Sequence, residues 1–245
     1  YRDLLFGSSE HPNPALHPKL EITYDTNVTC LTKQPNSIDG KDAYVWDYNP
    51  STNYGNADGL DITAWTASGT PYISRVFFQF DLSSIPTNAS VVTAKLSLYH
   101  NNTASGYNGI HNGSNESFIR QVTSNWQEST ITWNNQPTTT SVNEIYLPAT
   151  TSGTQDFLDI DVKSIVSGMV SNPGTNYGFS LLLQTEQSYR DLLFGASEHP
   201  NSSLHPKLEV CYSVPTLIHN INSSAASLSF YPNPLHTLST LKIED

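Results

Sequence analysis

The feature that most constrains this chain is a segment that occurs twice. Residues 1–24 read YRDLLFGSSEHPNPALHPKLEITY and residues 189–212 read YRDLLFGASEHPNSSLHPKLEVCY, identical at 19 of 24 positions with an offset of 188 residues. Self-similarity of this kind marks modules that stack or share edges. A long strand-rich region precedes the second copy and nothing comparable precedes the first. The expected order is therefore the closing strands of a preceding repeat, or donated strands, at 1–24, a linker at 25–41, a complete module at 42–213, a second linker at 214–227 and a tail at 228–245.

Within the repeat, Arg2 to Phe6 and Lys19 to Tyr24 read as short strands. The insert between them, SSEHPNPALHP, contains three prolines and so excludes a helix or a central strand. Closing strands without their own sheet would expose Leu4, Leu5, Phe6, Leu20 and Ile22. Unpaired strands seek an edge. They would complete an upstream module in a tandem array, or a neighbouring subunit's sheet by strand addition, which builds a filament end to end.

The complete module reads as many short strands. DAYVWDY, LDITAWTA, YISRVFFQFDL, VVTAKLSLYHN and SFIRQVT alternate or carry β-branched and aromatic residues, and GFSLLLQTE is continuously apolar. One helix is predicted in DFLDIDVKSIVSGMVSN, where Val162, Ile165, Val166 and Met169 share a face, Asp161 is placed to cap the start, and Gly168 and Asn172 keep it short. Trp126 and Trp133 are expected to anchor the core. The fold class is all-β: a two-sheet antiparallel jelly-roll sandwich with one short helix.

Charge narrows the partners. The net charge is −11, Lys and Arg together number 11, and there is no basic run. Nucleic acids and polyanionic ligands need clustered cations, so both are disfavoured. No apolar run approaches the roughly 20 residues of a membrane span. Cys30 and Cys211 are the two cysteines. In an oxidising compartment they form a disulfide; otherwise they are two unpaired, partly buried thiols.

The chemistry-bearing residues give three readings. For catalysis, His11, His17, His199 and His205 lie in the repeated HP turns and His100 and His111 near the glycine-rich loop, none with metal-helix spacing, and no nucleophile elbow is present. The chain therefore reads as non-catalytic. For metal, Asp42, Asp47, Asp58 and Asp61 lie close to the first loop and suit a structural calcium, although no contiguous loop signature exists and a solvated acidic loop is the alternative. For glycans, Trp46, Tyr48, Tyr54, Trp65 and Tyr72 near the first loops, with Tyr107 in the glycine-rich loop, supply rings that stack on the apolar faces of sugars.

Several motifs in order resemble a known family: RVFFQFDLSSIP, AKLSLYH, NWQESTITWNNQP, the DVKSIV segment, NYGFSLLL and PKLEVCY. Together they are similar to the DNRLRE family, the disaggregatase-related repeat, which overlaps with a family of carbohydrate-binding modules. The resemblance implies a secreted, non-catalytic jelly roll of multidomain or repetitive surface proteins. Some relatives are linked to acidic polysaccharides such as alginate, against which this chain's acidic charge argues. FYPNPLHTLSTLKI resembles the start of the C-terminal sorting domain of type IX secretion, implying an extracellular or outer-surface location. The leading expectation is a structural or adhesive building block whose partners are copies of the same repeat. The alternative is a carbohydrate-binding module of a secreted polysaccharide-active enzyme.

Overall fold

Runs of β-branched and aromatic residues form strands, and their alternation assigns each residue to a face. The computed structural model describes residues 7–17, 27–102, 109–215, 227–231 and 240–244. One unit spans Asn27–Pro215. Its strands are β1 Val28–Lys33, β2 Asp42–Trp46, β3 Gly59–Ala67, β4 Thr70–Phe78, β5 Ser90–Leu98, β6 Ser117–Val122, β7 Thr139–Leu147, β8 Phe157–Asp161, β9 Phe179–Leu183, β10 Arg190–Gly195 and β11 Lys207–Ser213. The one α-helix, α1, is Lys163–Ser171. A four-stranded sheet runs β1-β11-β5-β8. A seven-stranded sheet runs β10-β3-β4-β9-β6-β7, with β2 also paired to β4. All pairings are antiparallel, so this unit is an all-β sandwich.

The core lies between the sheets, with Ile62, Phe78, Phe179 and Leu181 from one and Leu96 and Val210 from the other. Removing this apolar area from water is the main favourable contribution to folding. The predicted helix stripe is buried at Val162, Ile165, Val166 and Met169. Val162 occupies the N-cap position, and Asp161 instead accepts the Lys163 amide through Oδ1 at 2.9 Å.

The second repeat copy closes the sandwich. β10 pairs with β3 in the seven-stranded sheet, and β11 pairs with β5 in the four-stranded sheet. Its Leu192, Leu193, Phe194, Leu208 and Val210 are buried. One short motif therefore supplies a strand to each sheet.

One expectation changes. Residues 28–33, read as linker, form edge strand β1 on β11. Its outer residues are exposed and Leu31 packs partly against the core, so VTCLTK carries almost no apolar alternation. NWQESTITWNNQP is a loop with a 3-10 turn at Trp133–Asn135. Trp126 is buried there in a smaller cluster with Ala43, Val45, Phe77, Val122 and Ile131, on the face of the seven-stranded sheet opposite the main core.

The other unit comprises 1–26 and 216–245. Its described parts are residues 7–17 and a hairpin of β12 Ser227–Tyr231 with β13 Thr240–Glu244. The predicted strands Arg2 to Phe6 and Lys19 to Tyr24, with Leu4, Leu5, Phe6, Leu20 and Ile22, lie outside the described residues. Residues 7–17 form the same turn as the second copy. Pro14–Leu16 and Ser202–Leu204 are each one 3-10 turn, capped by Asn13 and Asn201. The Nε2–H of His17 donates to the His11 carbonyl at 2.7 Å, and that of His205 to the His199 carbonyl at 2.8 Å. Burial differs: Leu16 is 53% exposed, whereas Leu204 is half-buried and His199 and His205 are buried.

Candidate functional site

Four of the predicted aromatic residues meet. β4 borders β3 along Thr70–Ile73 and β2 along Ser74–Phe78, so the strands fork near Ser74. At this fork Trp46 lies 5.2 Å from Tyr48, 5.1 Å from Tyr72 and 6.1 Å from Tyr54 between ring centroids. Tyr54 stacks on Tyr44 at 4.4 Å, a ring the sequence reading did not single out. Tyr48 is 46% exposed and Tyr72 is buried, so Tyr48 is the outermost of these rings and Tyr72 supports it from below. Asp47 fixes the start of the loop, since its Oδ1 accepts the Ile73 amide at 2.7 Å and its own amide donates to the Ile73 carbonyl at 3.1 Å.

A cleft of about 410 Å³ opens beside the Trp126 loop, on the outer face of the seven-stranded sheet. Its floor crosses three neighbouring strands: Phe77 of β4, Ser180 and Leu182 of β9, and Arg120 of β6. Gln136, Pro137 and Thr138 form a wall, with Arg75 at one side. Arg75 makes a two-pronged pair with Glu186, at 2.7 and 2.9 Å, and its guanidinium lies 4.9 Å from the Trp133 ring. Arg120 donates to Glu144 at 2.8 Å and lies 5.5 Å from the Phe118 ring. The carboxylates hold both guanidiniums in place and balance their charge. The same loop borders the aromatic cluster, because the Asn134 amide donates to the Pro50 carbonyl at 3.1 Å. Apolar floor and fixed donors and acceptors together suit a ligand with apolar faces and hydroxyl edges.

Residues 34–212 match the family model of carbohydrate-binding module family 96. The chain belongs to that family. No curated protein matches it. The match begins just after β1 and ends at residue 212, within β11.

The remaining predicted residues of this family 96 module stand apart. Trp65 pairs edge-on with Tyr189 at 5.3 Å. Tyr189 is 62% exposed and its backbone is left-handed at φ 75°, an uncommon conformation for a bulky residue. In the sequence Tyr189 stands out only as the first residue of the second repeat copy. Tyr107 lies outside the described residues. Arg75, Arg120, Glu144 and Glu186 were also missed. They are isolated charges on different strands and loops, with no sequence run to expose their meeting.

The four predicted calcium aspartates do not converge on one point among the described residues. Asp47 serves the loop as above, and Asp58 is exposed. Burial, then the Asp191 and Asp58 charges, pushes Asp61 up to about 7. Burial likewise pushes Asp191 up to about 6, against the hydrogen bonds from Asn112. Asp42 instead meets Glu128 and Glu198, two carboxylates outside the four predicted from the sequence. Desolvation first, and the Glu198 charge second, raises Asp42 above the usual carboxylate range. His111 uses both ring nitrogens structurally: Nδ1 accepts the Leu193 amide at 3.0 Å and Nε2–H donates to the Gln155 carbonyl at 2.9 Å. Burial pushes it down to about 4, so it is held neutral.

Cys30 and Cys211 are joined by a disulfide, opposite each other in the β1–β11 register. Among the described residues no helix is long and apolar enough to cross a membrane.

Proposed function

We propose that this family 96 module binds a neutral, hydroxyl-rich polysaccharide in the cleft bounded by Arg75 and Arg120, without catalysis of its own. The observation that carries this reading is the pairing of each arginine with a carboxylate over the Phe77 and Leu182 floor. The paired guanidiniums offer hydrogen bonds to hydroxyls without a net positive field, and the chain's charge of −11 disfavours polyanions such as alginate. The disulfide fits an oxidising location outside the cell, in line with the sorting-domain resemblance at 228–245. Affinity electrophoresis against soluble xylan, β-glucan, mannan and alginate, followed by calorimetry, tests the proposal. The expected result is binding to a neutral glycan, weakened tenfold or more by Arg75→Ala and by Arg120→Ala. One such loss corresponds to about 1.4 kcal/mol. Binding that survives both changes and is lost in Tyr48→Ala would move the site to the aromatic cluster.

A second reading, a repeated building block that meets neighbouring copies end to end, rests on residues 7–17. They reproduce the turn of the closing loop yet leave Leu16 exposed where Leu204 is half-buried. Light scattering of residues 1–245 against residues 27–215 tests it. Larger particles from the long form alone are expected, and equal monomers would refute it.

A further inference from the structure

Three carboxylates converge at a place distinct from the cleft and the aromatic cluster. Asp42 is the first residue of β2, Glu128 lies in the turn before the Trp133–Asn135 element, and Glu198 lies in the loop after β10. One carboxylate oxygen from each lies within 4.8 Å of the other two. Asp42 is only 3% exposed. Its Oδ2 accepts the Ser197 amide at 3.0 Å, whereas its Oδ1 is sealed from solvent and meets no donor among the described residues. Glu128 is oriented by the Asp42 amide, which donates to Oε1 at 2.7 Å. Glu198 is oriented by the Ser197 hydroxyl at 3.1 and 3.2 Å.

Among the described residues no cation comes within salt-bridge distance of the cluster, and the Lys41 charge acts on Glu128 only from farther off. Lys41, its neighbour in sequence, directs Nζ to Gln79 Oε1 at 2.7 Å and lies 4.5 Å over the Trp126 ring. A buried carboxylate with an unpaired oxygen costs free energy unless something positive meets it. The donors are all oxygens, which selects a hard cation over zinc or copper. Oxygens no more than 4.8 Å apart lie within the limit that two ligands can span across one ion at the calcium–oxygen distance of about 2.4 Å.

We infer that Asp42, Glu128 and Glu198 bind a calcium ion that fastens β2, the 127–131 turn and the closing loop of the second repeat copy to one another. Backbone carbonyls and water complete the shell, since calcium takes about six to eight oxygens. The ion's role is structural and does not depend on which glycan the cleft takes. Glu198 lies in the GASEHP motif of the second copy, and the first copy carries Glu10 at the matching position. The repeated motif thus supplies one ligand of the site as well as two closing strands.

The test uses the full chain, stripped with EDTA and desalted. Calorimetric titration with CaCl2 is expected to show one calcium per chain with a Kd on the order of 0.1–1 mM or tighter. Melting temperature should rise by about 5–10 °C when free calcium exceeds Kd a hundredfold. Glu198→Gln, a half-buried position that leaves the core intact, and Asp42→Asn should each weaken calcium affinity tenfold or more. The inference is overturned if the stripped protein shows neither heat nor a melting shift up to about 10 mM calcium. It is equally overturned if both variants keep the wild-type response, or if zinc replaces calcium with higher affinity.

Discussion

Replacing Trp126 with Ala is expected to destabilise the protein by about 3–5 kcal/mol and to abolish glycan binding at the cleft. Trp126 is buried, and its ring centroid lies 6.1 Å from that of Phe77. Its Nε1–H donates to the Tyr177 carbonyl at 2.9 Å, and Lys41 covers its face. Truncation would open a cavity in the smaller core cluster, which has few other large side chains with which to refill it. The loop that Trp126 anchors continues into Gln136, Pro137 and Thr138, the wall of the cleft. Loss of the anchor therefore acts on stability and on binding together. Trp126→Phe keeps part of the packing and removes the hydrogen bond, so it should lose less stability, about 1–3 kcal/mol. Urea unfolding and calorimetric glycan titration of the two variants check this. Wild-type binding by a folded Trp126→Ala protein would show that the loop does not shape the site.

Reducing the Cys30–Cys211 bridge is expected to lower the melting temperature by about 10–20 °C. The bridge closes a loop between residues 181 apart, which contains nearly the whole sandwich. On a chain-entropy argument, a loop of that length restricts the unfolded ensemble by about 5 kcal/mol. The same bond holds β1, whose one hydrogen-bonded neighbour among the described residues is β11 and whose outer residues are exposed. Amide exchange at residues 28–33 should therefore accelerate more than elsewhere on reduction. Differential scanning calorimetry with and without reductant, alongside Cys30→Ser, measures the first effect, and hydrogen exchange the second. An unchanged melting temperature would mean that the sandwich is stable without the bridge.

Strands such as β4 and β9 were legible because their side chains alternate between a dry and a wetter face, or are apolar throughout, and α1 because its stripe repeats at helical spacing. β7 and β1 were not. Both are edge strands, largely exposed, and leave no hydrophobic pattern to read. The aromatic cluster was partly legible: Trp46, Tyr48 and Tyr54 are close in sequence around one loop, and Tyr72 follows on the next hairpin. The cleft was not, because Arg75 and Glu186 are 111 residues apart and each is an ordinary surface charge in its own segment.

The repeat shows where that boundary falls. Its turn forms alike in both copies, since the Asn cap, the prolines or serines that follow and the paired histidines act within a few residues of one another. Those local interactions are written in the sequence itself. Whether the turn is covered, and what Glu198 faces, depended on tertiary structure. Asp42 and Glu128 are 86 residues apart, and the antiparallel strand pairings and the Trp126 loop bring them together beside the closing loop. Sequence determined the patterned core strands, the helix and the repeated turn through short-range sterics and periodicity. Only the packing of the two sheets decided which charges meet, because that depends on long-range register.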